Sequence, residues 1–227
     1  SLIATGVFSS GKLQFTGLNE LLPAESLSYF FVEVNIPLNI IDSDSLAATI
    51  GGFSDLFFQD TVIVNGDIPI SSDGYGVING SVFNQYQVIG VEPTTLRPGD
   101  SMIPVFAFRP AFNGNQIDTL QTLTVSNTGN ADNTDIASLT LWRDRNSDNI
   151  WQIADSMLTT FSYAAGNWTA GPLNLAVDSQ TPGLFVLAAI DTLATNGVTF
   201  RGAIPINGCQ YKSANDGPLD QSVISND

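Results

Sequence analysis

Short runs of β-branched and aromatic residues, spaced about ten residues apart and punctuated by turn-forming pairs, constrain this chain more than any other feature: they predict an all-β fold. The runs are Leu27 to Ile36, Thr61 to Val64, Tyr86 to Val91, Ile103 to Phe108, Leu120 to Val125, Leu139 to Trp142, Leu184 to Ile190 and Val198 to Ile204. Between them stand Asn65-Gly66, Asp73-Gly74, Asn79-Gly80, Asn207-Gly208 and Asp216-Gly217. Such pairs close tight hairpins, because the central positions need positive φ, which glycine and asparagine adopt at least cost. Helical periodicity over about a dozen residues is absent, and Asp191 to Thr195 amounts to one turn. The spacing fits antiparallel sandwich domains of about seven short strands each.

The chain also repeats itself. The stretch from Ser1 lies over the stretch from Ser156, with Gly11 on Gly166 and Leu18-Asn19 on Leu173-Asn174, an offset of 155. Ile50 then meets Ile204 at 154, Asn65-Gly66 meets Asn207-Gly208 at 142, and Ser81-Val82 meets Ser222-Val223 at 141. The drop from 154 to 142 places a 12-residue insertion in the first copy, around GGFSDLFFQDTVIV.

The two copies are unequal. The second runs from about Ser101 to the end, whereas the first starts at the equivalent of Ser156 and so lacks its front half. Residues 1–92 are therefore expected to form a partial sandwich, 93–101 a linker marked by Pro93, Pro98 and Gly99, and 102–227 a complete sandwich. Half a sandwich exposes apolar side chains (Phe15, Phe30, Val32, Val34) and unpaired strand edges, which invites association. An upstream segment, the folded-back insertion, or strands donated by a neighbouring molecule would complete it.

Charge and histidine content remove several function classes. With 22 acidic and 7 basic residues, the net charge is −15 and there is no histidine. Such a chain is repelled by phosphate backbones, so nucleic acid is not an expected partner. No Ser-His-Asp or Cys-His machinery and no histidine-ligated zinc is possible. Charged residues make up 13%, against about 25% in typical soluble proteins, a hydroxyl- and amide-rich surface of the kind found on extracellular and cell-surface proteins. The apolar runs fall far short of the roughly 20 residues a membrane span requires. An opening Ser1 reads as a processed product or a piece of a longer polypeptide. Cys209 is alone, either a small buried apolar residue or an intermolecular thiol.

One segment carries metal-like chemistry. Counting Asp144 as position 1, oxygen-bearing side chains fall at position 3 (Asn146), 5 (Asp148), 9 (Gln152) and 12 (Asp155), with the Ile150 carbonyl at 7. This is the ligand order of a 12-residue calcium loop, in which alternate side chains of a tight turn converge and the twelfth closes the shell. Position 6, normally glycine, is Asn149, the next best residue for positive φ. The oxygen donors suit calcium before magnesium, with an affinity on the order of 0.1 to 1 mM for an extracellular module. The same pattern also describes an Asx-rich β-turn in an acidic chain. Asp132 and Asp135 belong either to the same acidic edge or to a solvated loop.

From Ala137 onward, ASLTLWRDRNSDNIWQIADSMLTTFSYAAGNWTAGPLNL resembles modules of large bacterial and archaeal surface proteins, in which a strand leads into a dockerin-type calcium loop and then another strand. The resemblance covers mainly residues 102–206, with 1–50 joined through the repeat. It implies tandem Ig-like antiparallel β-sandwich domains, calcium as cofactor, no catalysis, and a place in an S-layer, adhesin or filament protein. The flanking segments read as strands, so recognition of a cohesin partner is not implied.

Other features divide between bland and functional readings. The sequons Asn79-Gly80-Ser81 and Asn167-Trp168-Thr169 stand at turns where glycans can attach. Trp142, Trp151 and Trp168 would serve either as core residues or as a sugar-stacking platform. The carboxylates Asp42, Asp44, Asp55 and Asp60 sit in polar turns without basic partners, which argues against a glycosidase-type pair. The expectation is a non-catalytic extracellular or cell-surface structural protein: a filament, sheath or S-layer-like subunit rigidified by calcium, self-associating through the strand edges of its incomplete first domain. The alternative is a surface adhesin or carbohydrate-binding module.

Overall fold

The computed structural model describes residues 2–23, 25–38, 43–59, 63, 65–78, 80–112 and 116–226. The chain divides into two units, Ser1–Asn35 and Ile36–Asp227. The expected strand Thr61 to Val64, Asn79 of the first sequon, Asp42 and Asp60 lie wholly or largely outside the described residues.

The first unit holds one small hairpin, β1 (Phe8–Ser9) and β2 (Lys12–Leu13), with Phe8 opposite Leu13 and Ser9 opposite Lys12. Its turn residues, Ser10 and Gly11, take φ of 50° and 74°. The run Leu27 to Ile36, expected as a strand, carries no ladder among the described residues, and its apolar side chains stand exposed. The physical reason is that an extended segment becomes a strand only when a neighbour takes up its N–H and C=O groups.

The second unit begins with two short ribbons: β3 (Ser45–Leu46) pairs with β6 (Gly76–Val77), and β4 (Thr49–Ile50) with β5 (Ile70–Ser71). Beyond them lie two antiparallel sheets around a shared core. One contains β7 (Gln87–Ile89), β8 (Ile103–Arg109), β10 (Ile136–Arg143), β11 (Ser156–Thr160) and β15 (Leu184–Ile190), in the order β11-β10-β15-β8-β7. The other is built on β9 (Asp118–Asn127), with β12 (Ser162–Ala164), β13 (Asn167–Ala170), β16 (Gly202–Ile204) and β18 (Val223–Ile224) in the order β12-β13-β9-β16-β18. β14 (Leu175–Val177) and β17 (Cys209–Tyr211) also pair with β9. The chain is thus all-β with antiparallel sheets, in the two-layer arrangement of a β-sandwich.

Side-chain patterns explain the layers. On β10, Leu139 and Leu141 point into the core while Ser138, Thr140 and Trp142 alternate with them. β15 reads LFVLAAI without alternation because both its faces are covered. Leu184, Val186 and Ala188 join the main core, while Phe185 and Leu187 meet Ile89 and Ala107 in a smaller cluster on the sheet's other face. On β9, Leu120 and Leu123 are both buried despite their odd spacing. A register shift opposite Gln210 and Tyr211 absorbs the extra residue.

The boundary expected near residue 102 is displaced toward the N-terminus. β7 pairs with β8, and Tyr86 and Ile89 are buried, so residues from about 81 onward already belong to the sandwich. Residues 93–101 join two neighbouring antiparallel strands. Prolines and glycine punctuate such a connection as readily as a linker between modules.

Ser81, Tyr86, Cys209 and Tyr211 form a buried polar group at the core's margin. The Ser81 and Tyr86 hydroxyls lie 3.1 Å apart, and the Tyr211 hydroxyl donates to the Ala111 carbonyl at 3.4 Å. Burial pushes the Cys209 thiol from 9.0 up to about 12 and drives both phenols well above their ordinary 10.0. These groups keep their protons when folded and ionise more easily when unfolded. Their contribution to stability is therefore complete below about pH 9 and is lost as the pH rises through about 12. The urea midpoint is expected to fall steadily above pH 9, and Cys209 to ignore thiol reagents until the protein unfolds; a thiol that labels fully in native buffer would contradict this.

Candidate metal centre

The loop Asp144–Asp155 connects β10 to β11, and its backbone is held by its own carboxylates. Asp144, 1% exposed, accepts the N–H groups of Asn146 (3.2 Å) and Ser147 (2.7 Å) on Oδ1 and that of Asn149 (2.7 Å) on Oδ2. Asp155, also buried, accepts the N–H of Arg145 (3.0 Å) on Oδ1 and that of Gln152 (2.8 Å) on Oδ2. These contacts fold the segment into a tight turn. Ser147 and Asn149 take φ of 61° and 62°, so Asn149 has the conformation expected at position 6.

Side chains from positions 3, 5 and 9 meet at one point. Asn146 Nδ2 and Gln152 Nε2 each donate to Asp148 Oδ2 at 2.8 Å, while Asp148 Oδ1 accepts the Ile150 N–H at 2.8 Å. All three side chains are exposed. Turning the two amide groups over would bring their oxygens toward Asp148 in place of their nitrogens. Donor type and loop order thus fit a hard cation. The three carboxylates, however, are not gathered together: among the described residues, no group of three or more acidic, cysteine or histidine side chains is placed to hold a metal. Asp144 and Asp155 spend their oxygens on backbone amides, and the Ile150 side chain is exposed.

Two anchors that the sequence reading missed fasten the loop to the sheet. Asn149 Oδ1 accepts from Arg109 Nε (3.2 Å) and Nη2 (3.0 Å), and the Asp144 N–H donates to the Gly183 carbonyl at 2.9 Å. A Cβ at Gly183 would come within 2.7 Å of Ile89 Cδ1, so a larger residue there requires that methyl group to shift. Trp151 packs with Trp142 on the smaller cluster, ring centroids 6.4 Å apart in an edge-on arrangement. An apolar Ile150-Trp151 pair inside a polar loop was the available signal for such an anchor.

Asp132 and Asp135 stand at the opposite end of β10 from Asp144. Asp132 accepts from the Thr134 hydroxyl (2.6 Å) and N–H (2.7 Å), and Asp135 accepts the Thr195 N–H at 2.8 Å. These bonds hold both carboxyls below their ordinary value and tie the turn before β10 to the segment after β15. Asp55 is exposed and accepts the N–H groups of Gly51 and Gly52, while Asp44 is exposed in the ribbon segment. Trp168 is buried, and Trp142 and Trp151 are half-buried, so the tryptophans make no exposed platform. Asn167 opens β13, half-buried beside the turn. No helix among the described residues is long and apolar enough to cross a membrane. Scans against protein-family models, curated proteins and solved structures find no match to the chain.

Proposed function

We propose that this protein is a non-catalytic structural subunit of an extracellular or cell-surface assembly: a filament, sheath or S-layer-like array of Ig-like sandwich modules in tandem, in which calcium stiffens the Asp144–Asp155 loop. The observation that carries this reading is the apolar run Tyr29 to Val34, which lies exposed in a chain whose second unit is built on two antiparallel sheets. An exposed run of this kind favours association with another polypeptide. Calcium fits the oxygen donors of Asn146, Asp148 and Gln152, with the Ile150 carbonyl, Asp144 and Asp155 completing the proposed ligand set. The adhesin alternative gains nothing from the tryptophans, none of which is exposed.

Thermal melting with chelator and with calcium tests the cofactor. At about ten times a millimolar-range Kd, calcium adds about 1.4 kcal/mol, which raises Tm by about 3 to 6 °C in a domain of this size. Superimposable melts would remove calcium from the proposal. Sedimentation over a wide concentration range tests assembly: larger species are expected to grow with concentration, and a single monomeric boundary throughout would reject assembly by the chain alone.

A further inference from the structure

Where β10 runs into the loop, the surface opens into a cleft of about 230 Å³ whose walls include Arg143, Arg145, Ser147, Ser156 and Gln180. Two of the chain's 7 basic residues thus stand two positions apart in a protein of net charge −15. Arg143 lies directly opposite Ser156 in the β10–β11 ladder, which puts their side chains on one face of the sheet. Arg145 and Ser147 follow just past the end of β10, and Gln180 comes from the turn before β15. All five residues are exposed.

The backbone under this cleft is fixed from three directions. The Asp144 N–H donates to the Gly183 carbonyl at 2.9 Å, the Arg145 N–H to Asp155 Oδ1 at 3.0 Å, and the Gln180 N–H to Asp178 Oδ1 at 2.8 Å. A frame held in advance lowers the ordering cost of binding. Its side chains, by contrast, have donors to spare. Among the described residues neither guanidinium meets a carboxylate or another acceptor, and Gln180 Nε2 reaches only Ser179 Oγ, at 3.5 Å. Asp144 also borders the cleft, but its buried carboxylate gives both oxygens to backbone N–H groups and so does not occupy the arginines.

Charge and size narrow what such donors take. Two guanidinium groups against the one carboxylate of Asp144 leave a single positive charge, and the chain's net charge of −15 opposes every further negative charge a ligand brings. A singly charged ligand therefore fits better than a doubly charged phosphate. The volume equals roughly seven waters at about 30 Å³ each, room for one small molecule or a single acidic group. We infer that this cleft binds a small carboxylate: Arg143 and Arg145 hold its two oxygens in the fork geometry that guanidinium groups offer, while Ser147, Ser156 and Gln180 take neighbouring polar atoms. The site lies outside the proposed calcium ligands and needs neither calcium nor assembly.

The full chain, freed of metal on a chelating resin, is titrated at constant ionic strength with galacturonate, acetate, galactose and sulfate while the arginine Nε–Hε resonances are followed by NMR. Galacturonate should move those of Arg143 and Arg145 along a saturating curve with a Kd on the order of 1 to 10 mM. Galactose, which offers a similar ring without the charge, should leave them in place. Arg143→Gln and Arg145→Gln should each weaken binding about tenfold, the loss of one charge-assisted hydrogen bond, without changing the melting of the protein, since both positions are exposed. Acetate that binds as tightly as galacturonate upholds the inference with the carboxylate alone as the recognised group; weaker acetate binding upholds it with contacts to the ring added. No saturation below about 50 mM overturns it. Undiminished binding by the double variant overturns it as well, and sulfate binding tenfold tighter than either acid overturns the choice of a carboxylate. All of these readings are made without calcium, so they stand whatever the loop binds.

Discussion

Phe106→Ala is expected to lower the stability of the second unit by about 3 to 5 kcal/mol, a fall in Tm of roughly 6 to 20 °C. Phe106 is fully buried, stacked on Phe108 with centroids 5.3 Å apart and planes at 17°. Its other wall is β16, where a Cβ added to Gly202 would come within 2.7 Å of Phe106 Cβ. Backbone already packed that closely cannot move further in to fill the space, so the cavity term is paid nearly in full. Phe31→Ala is the matched control. The same ring is lost from a side chain 88% exposed, and Tm should change by less than about 0.5 kcal/mol would produce. Equal losses from the two variants would mean that the first unit buries its aromatic residues as the second does.

The second large effect separates the loop's fold from its ion chemistry. Asp144→Ala leaves three partly buried backbone N–H groups, those of Asn146, Ser147 and Asn149, without their acceptor. A cost of roughly 3 kcal/mol follows, given about 1 to 3 kcal/mol per unsatisfied buried group and partial relief by water. The loss should appear with or without calcium, as a Tm lowered by roughly 6 to 12 °C. Asp148→Asn behaves differently. Asp148 is exposed, so the chelated protein should melt within about 0.5 kcal/mol of the parent, while the rise in Tm caused by calcium disappears. If Asp148→Asn keeps the full calcium response, the ion binds elsewhere. If Asp144→Ala is harmless in chelator, the hydrogen bonds around its carboxylate do not hold the loop.

Local chemistry was legible in the residues wherever short-range physics governs it. Asn149 takes the positive φ that its place in the loop demands. Asp73-Gly74 and Asn207-Gly208 mark turns, but the strands on either side of each pair with other neighbours rather than with one another. Strand positions from Ile103 to Trp142 and Leu184 to Ile190 follow from apolar content alone. Leu27 to Ile36 is equally apolar, yet it forms no strand, since apolar content states a preference for burial and cannot supply the neighbours.

What the sequence by itself determined is the all-β class and the order of oxygen donors from Asp144 to Asp155. These rest on composition, periodicity and spacing, which act between residues close in the chain. Only the tertiary structure decided that residues from about 81 belong to the sandwich, that Arg109 and Trp151 anchor the loop, and that Asp144 and Asp155 bind backbone amides while Asp148 gathers the amides of Asn146 and Gln152. Each joins groups whose meeting depends on sheet order and register. A ladder such as that between β7 and β8, or a contact such as Arg109 to Asn149 across 40 positions, leaves no mark in the local pattern of either partner.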